Sequence, residues 1–393
     1  MRFYNHQHRH YCGIDLHVKT MYVCILDASG QVLLHRNVKS TPEAFLETVA
    51  PYRDDLVVAA ECMFTWYWLA DVCAAEGIAF VLGHALAMKA IHGGKAKNDK
   101  LDSFKIATLL RGGLLPQAYV YPAGMRATRD LIRRRLHLVR KRGQLLAHIQ
   151  NTRAQYNLPA FGRRLAYPAN REGVREHFPD PSVRKSIDVD LTLVAQYDTL
   201  ITDLELPIAR EAKRHDADAF HRLRSVPGIG KVLALTILYE IHDITRFDRV
   251  QEFASYARLV KCKKQSGGKT LGTSGAKMGN VHLKWAFSEA AVLFLRHTKE
   301  RQEAAGDDRE EARQGEGALD PGPQDRPRSV LHAVARDRLF DGEVPRGVAG
   351  RERASQPANS SHVTELAQIA QHACAAKRHE PPIMSHRSGS ERV

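Results

Sequence analysis

Between Tyr11 and Leu82 the apolar positions fall into short runs separated by turn residues, and each run has the length of a strand or a short helix. Tyr11–Leu16 and Met21–Asp27 predict two strands. The turn Asp27-Ala28-Ser29-Gly30-Gln31 then leads into a third over Val32–Val38, so the chain opens as a meander. Thr41-Pro42-Glu43 supplies a cap and a proline at the first helical position, predicting a helix toward Tyr52. Leu56–Ala60 is unbroken and small, as in a strand buried on both faces. Phe64–Ala75 reads as an aromatic-rich helix, Ile78–Leu82 as another buried strand, and a further helix starts near Asn98.

Beyond Ala123 the pattern changes to helical spacing. Ile132, Leu136, Val139, Leu146 and Ile149 line one face of a long helix, and between Arg126 and Arg153 nine Lys or Arg stand against one acid, Asp130. After Pro159, Pro168, Pro179 and Pro181, the positions Leu193, Tyr197, Leu200, Leu204 and Ile208 mark a second long helix with near-heptad spacing. The two predict an antiparallel hairpin or a dimer-forming coiled coil. Ser225-Val226-Pro227-Gly228-Ile229-Gly230-Lys231 then opens a new helix, with backbone N–H groups free to grip a phosphate. From Arg301 to Gly350, 11 of 50 residues are Gly or Pro, and Phe340 is the only Phe, Trp or Tyr after Phe294, too little to build a core. The expected divisions are 1–122, an α/β catalytic domain; 123–215, a basic helical linker; 216–300, a mainly α C-terminal domain; and 301–393, a disordered or frameshifted tail. The element order of the first is that of an RNase H-like fold.

Composition adds a partner class. A formal net charge of +14 over 393 residues implies a polyanion, and no run approaches the roughly 18 apolar residues of a membrane span, so nucleic acid is expected rather than a membrane. Six cysteines without a Cys-x-x-Cys pair read as reduced thiols of a cytoplasmic protein, not as a zinc site or a disulfide framework. Met1–His10, with His6, His8 and His10, reads as a frayed polar terminus rather than a metal site.

The candidate chemistry lies in four carboxylates. Asp15 and Glu61 each close an apolar strand, where an unpaired charge is costly, and Asp99 and Asp102 share one face at the head of a helix. Phosphodiester chemistry on polynucleotides uses divalent ions about 4 Å apart, and hard ions such as Mg2+ take oxygen ligands. Each acid alone has an ordinary alternative; Asp99 and Asp102 could simply charge a helix N-terminus. Lys95, Lys97, Lys100, Arg133, Arg134, Arg135, Arg140, Lys141, Arg142 and Lys269 are candidate backbone-phosphate contacts. Ser266 stands among Lys263, Lys264 and Lys269 before Gly267-Gly268, which suits a hydroxyl approaching a phosphate and equally suits a plain Gly/Ser turn; Ser274 is a rival.

Gly13-Ile14-Asp15-Leu16-His17 with Lys19, Ala60-Glu61, Lys97-Asn98-Asp99-Lys100-Leu101-Asp102-Ser103 and Gln265-Ser266-Gly267-Gly268-Lys269 together resemble the DEDD insertion-sequence transposases of the IS one-ten type, over about Tyr11 to His297. Phe253–Val260 and Lys277-Met278-Gly279-Asn280 extend the likeness, whereas Lys284 stands where an arginine is expected. The resemblance implies a RuvC-like domain joined by a coiled coil to a serine-bearing transposase domain. It implies Mg2+ on Asp15, Glu61, Asp99 and Asp102, Ser266 as nucleophile, DNA as substrate, a structured guide RNA encoded by the element, and a homodimer or tetramer. The Gly/Pro/Arg-rich text from about Gln302 departs from the family pattern. The residues alone also accommodate a RuvC-like hydrolytic endonuclease or a catalytically silent nucleic-acid-binding protein.

Overall fold

The computed structural model describes residues 2–91, 98–260, 262–267, 269–274 and 278–297. The expected tail, 301–393, lies outside them, as do Lys95, Lys97 and Lys277. The described chain forms two compact units that divide after Arg126.

The first unit is mixed α/β. Its strands are β1 (Phe3–Tyr4), β2 (His10–Leu16), β3 (Thr20–Asp27), β4 (Val32–Lys39), β5 (Leu56–Glu61), β6 (Ala79–Gly83) and β7 (Leu115–Pro116); its helices are α1 (Pro42–Val49), α2 (Trp66–Ala75), α3 (Ala85–Ile91) and α4 (Asp99–Arg111). Five strands form one sheet in the order β4-β3-β2-β5-β6. The meander β2-β3-β4 is antiparallel, and β5 and β6 continue parallel from β2. Alternation along β2 and β5 splits the core in two. Cys12, Ile14, Leu16, Val58 and Ala60 pack with Phe45, Val49, Leu69 and Cys73 of α1 and α2. Tyr11, Val57 and Ala59 pack with Ile106, Ala107, Leu109 and Leu110 of α4 on the opposite face.

Gly13 fixes how closely α4 lies on the sheet. A Cβ there would stand 2.3 Å from both Ala107 N and Ser103 O, so the helix backbone rests directly on β2.

Three expectations change. The aromatic helix starts at Trp66, leaving Phe64 in the preceding loop. The N-terminus is tied down: β1 pairs with β7, His8 Nδ1 lies 2.6 Å from Asp55 Oδ1, and Tyr4 Oη lies 2.7 Å from His8 Nε2. Composition suggested fraying because the partners of these histidines lie about 50 residues away or at a spacing with no local signature. The short elements α3 and β7 were not foreseen.

The second unit begins with the rest of α5 (Ala123–Gln155), followed by α6 (Pro181–Ser225). These form an antiparallel hairpin. Arg135 pairs with Glu205 at 2.6 Å, Arg142 with Asp198 at 2.5 Å and His148 with Asp190 at 2.5 Å, so partners advance by about a heptad on one helix and retreat by as much on the other. Along this part of α6 Ile187, Val194, Ile201 and Ile208 are buried, so Ile208 of the expected stripe faces the core whereas Leu193 and Leu200 face outward. Two apolar stripes run along α6, and the charged partners on α5 select the one that is buried. At Asp216 the helix breaks, and its carboxylate accepts from Ala219 N to restart it.

Next come α7 (Lys231–Ile241), α8 (Val250–Tyr256), the hairpin β8 (Cys262–Ser266) and β9 (Lys269–Ser274), and α9 (Val281–His297). Glu240 of α7, 1% exposed, is their electrostatic centre. Arg129 and Arg133 of α5 donate to its carboxylate at 2.6–3.2 Å, and Asn280 Nδ2 donates at 2.7 Å. Asn280 Oδ1 in turn accepts from His282 N and Leu283 N, capping α9. Burial pushes the Glu240 carboxyl up, but the hydrogen bond from Arg133 and the charges of both arginines outweigh it and hold the value at about 2. Among the described residues no helix is long and apolar enough to cross a membrane.

Two stability outcomes follow. Gly13→Ala should lower unfolding free energy by at least about 2 kcal/mol in denaturant titrations, because the new methyl meets backbone that cannot step aside. For Glu240, a folded value of about 2 against an ordinary 4.5 means its stabilisation is complete above pH 4.5 and fades as the pH falls toward 2. Glu240→Gln should therefore remove on the order of 3 kcal/mol at neutral pH and flatten the acid limb of the stability profile.

Candidate metal and nucleic-acid site

The acid cluster is built by the sheet and α4 together. Asp15 and Glu61 sit near the C-terminal ends of neighbouring parallel strands; Ile14 pairs with Ala60, so the next step along the ladder sets Asp15 beside Glu61. Alternation from Gly13 and Ala59 turns both carboxylates toward the α4 face. Asn98 then starts α4, its Oδ1 accepting from Leu101 N at 2.7 Å, and Asp99 and Asp102 occupy the first turn, where the helix end favours negative charge. Ser103 is buried against the sheet, with His35 Nε2 2.9 Å from Lys100 O and 3.2 Å from Ser103 Oγ. The heptapeptide from Lys97 to Ser103 thus contains a cap, two forward-facing acids and a packing serine.

Asp15, Asp99 and one residue not foreseen, His17, converge: a ligand atom of each lies within 4.8 Å of the others. His17 Nε2 stands 3.4 Å from Asp15 Oδ2 and 3.5 Å from Asp99 Oδ1. Period-two alternation from Asp15 was the available signal for His17. Burial raises the Asp15 carboxyl, His17 opposes that, and Asp99 and Asp102 raise it further. Asp102 is itself 3.3 Å from Lys105 Nζ. Carboxylate oxygens with one imidazole form a donor set that fits a divalent cation.

Ser266 is exposed at the end of β8, paired with Lys269 across a two-residue connection; Gly267 has φ +56°, which glycine adopts freely. Lys269 and Lys100 are exposed. On α5, Arg133, Arg135 and Arg142 are engaged in the ion pairs described above, whereas Arg134, Arg140 and Lys141 are exposed.

Comparison with known proteins points to one class. A family model of DEDD transposases of the IS110 type, described as "Transposase", matches residues 12–157, and one described as "Transposase IS116/IS110/IS902 family" matches residues 220–305. The transposase for insertion sequence element IS1111A of Coxiella burnetii is 25% identical over 300 residues, covering 74% of this chain and 79% of that one. The putative transposase y4qE of Sinorhizobium fredii is 24% identical over 210 residues, 51% of this chain and 49% of that one. Transposase models over residues 12–157 and 220–305, with an insertion-sequence transposase similar over most of the chain, place it in the class of insertion-sequence transposases. The chain belongs to the IS116/IS110/IS902 family.

Asp15→Asn relieves like charge in the cluster and takes away a candidate donor atom. It should raise the thermal midpoint by a few degrees without divalent ions, and the upward shift expected of the unaltered protein on adding Mg2+ or Mn2+ should be absent from the variant.

Proposed function

We propose that this transposase cuts and rejoins the DNA of its element with Mg2+ held by Asp15, Glu61, Asp99 and Asp102 of an RNase H-like first unit and with Ser266 as nucleophile. The observation that carries the reading is the convergence of Asp15 and Asp99 at the C-terminal end of the central strand β2, with Asp102 close enough to raise the Asp15 carboxyl further. Bound Mg2+ would supply charge neutralisation at the phosphate. The carboxylates fix where the phosphate sits, and the Gly13 contact fixes where the helix-borne pair meets the strand-borne pair. Ser266 Oγ forms a bond to phosphorus as the bridging oxygen of the cut strand leaves; the serine proton goes to solvent, and the departing oxygen takes one to become a hydroxyl. The phosphoserine keeps the energy of the broken ester for rejoining, and an exposed hairpin tip is open to a DNA backbone.

Arg134 and Lys141, one heptad apart on the exposed side of α5, join Arg140, Lys100 and Lys269 as the backbone contacts the fold leaves available, on DNA and on a structured guide RNA. A homodimer or tetramer would bring two ends together, and the outward residues Val189, Leu193 and Leu200 of α6 favour assembly through the hairpin. The protein would work in the cytoplasm.

The serine role is tested by trapping. Ser266→Ala should abolish the covalent protein–DNA adduct seen on denaturing gels while DNA binding stays within about twofold. Strand cleavage that persists in that variant but vanishes in Asp15→Ala would replace this reading with a hydrolytic nuclease.

A further inference from the structure

The loop that follows Glu61 carries two large apolar side chains into solvent beside the acid cluster. Phe64 is 79% exposed and Met63 50%, and on the far side of Asp15 the neighbour of His17, Val18, is 68% exposed. This loop is anchored to the site: Thr65 Oγ1 donates to Leu16 O at 3.1 Å, and Cys62 N donates to Gly83 O at 2.9 Å. The fold gives Phe64 no other task. An aromatic just before a helix cap ordinarily packs against the fourth helical residue, but that residue, Leu69, is fully buried in the core while Phe64 stays in water. Among the described residues no ring or cation lies against it.

We infer that Phe64, backed by Met63, is a stacking surface for an unpaired nucleobase next to the phosphate held at the carboxylates. The occupant follows from position. Phe64 is three residues past Glu61, within about 11 Å along the chain, so a strand whose phosphate lies at the cluster has its neighbouring base within reach. A divalent cation on the carboxylates would draw the backbone phosphate, whereas the exposed apolar Met63 and Phe64 offer their surface to uncharged base faces, so the two parts of a nucleotide would meet different parts of the site. Phenylalanine offers a π-face without sequence preference, which suits one base turned out of a duplex whatever its identity. The inference rests on the proposed role of the carboxylates.

The test uses the full-length protein in Ca2+, to limit cleavage, with two fluorescein-labelled DNA duplexes of the same sequence, one fully paired and one carrying a central run of mismatches. The unaltered protein should bind the mismatched duplex more tightly by about fivefold or more. Phe64→Ala should bring that ratio close to one while fully paired binding changes little, and Phe64→Trp should restore it. Ultraviolet cross-linking to a mismatched duplex bearing 5-iodouracil should yield an adduct on the Phe64 peptide. An unchanged ratio in Phe64→Ala overturns the inference, and more so if that variant alters the sedimentation coefficient, since Phe64 would then cover a protein surface. An unaltered protein that binds neither duplex overturns the DNA reading of the site and this inference with it.

Discussion

The contact of α4 with β2 at Gly13 is the constraint on which the first unit depends. A helix standing off the sheet by one methyl group would carry Asp99 and Asp102 away from Asp15, because all three are referenced to that one close approach. The Asp15 carboxyl is raised first by burial and further by the charges of Asp99 and Asp102, and packing on both faces of the sheet keeps these groups together. A cation bound there would meet groups already held in place by that packing, so little further ordering of the protein would be needed.

The second unit shows that a basic composition is not all directed at a partner. Arg129 and Arg133 are committed to Glu240, Arg135 to Glu205, and Arg142 with Arg171 to Asp198. These pairs determine which apolar stripe of α6 is buried and hold α5 to α7 and to the cap of α9. A surplus of positive charge remains on exposed positions of α5, but it is narrower than the sequence count suggests. The asparagine of Lys277-Met278-Gly279-Asn280 likewise has a mainly architectural task, since both ends of its amide are engaged in holding α9 to α7.

Much of the first unit was legible because its signals are local. The strands over Tyr11–Leu16, Met21–Asp27 and Leu56–Ala60 declare themselves by alternation or by an unbroken apolar run, and Asp99 and Asp102 mark the head of α4. The placing of Asp15 and Glu61 at strand ends was readable for the same reason. What escaped depends on distant partners. The burial of Ile187, Val194 and Ile201 instead of Leu193 and Leu200 is decided by charges on another helix, the order around His8 by Asp55, and the membership of His17 in the acid group by Asp99. The aromatic run from Phe64 to Trp68 hid a helix start, since helical spacing alone does not say which ring stays outside.

The hairpin of β8 and β9 carries its serine in a frame with its own origin. Ser266 faces Lys269 across two residues, and the pairing shifts register between Lys264 and Gln265. The orientation of Ser266 is set by the tip, and the irregularity separates that tip from the rest of the ladder. Length changes farther down the strands could be absorbed at the irregularity, whereas one residue added between Ser266 and Lys269 would turn the hydroxyl to the opposite side. In this part of the molecule, the effect of an insertion or deletion depends on which side of Gln265 it falls.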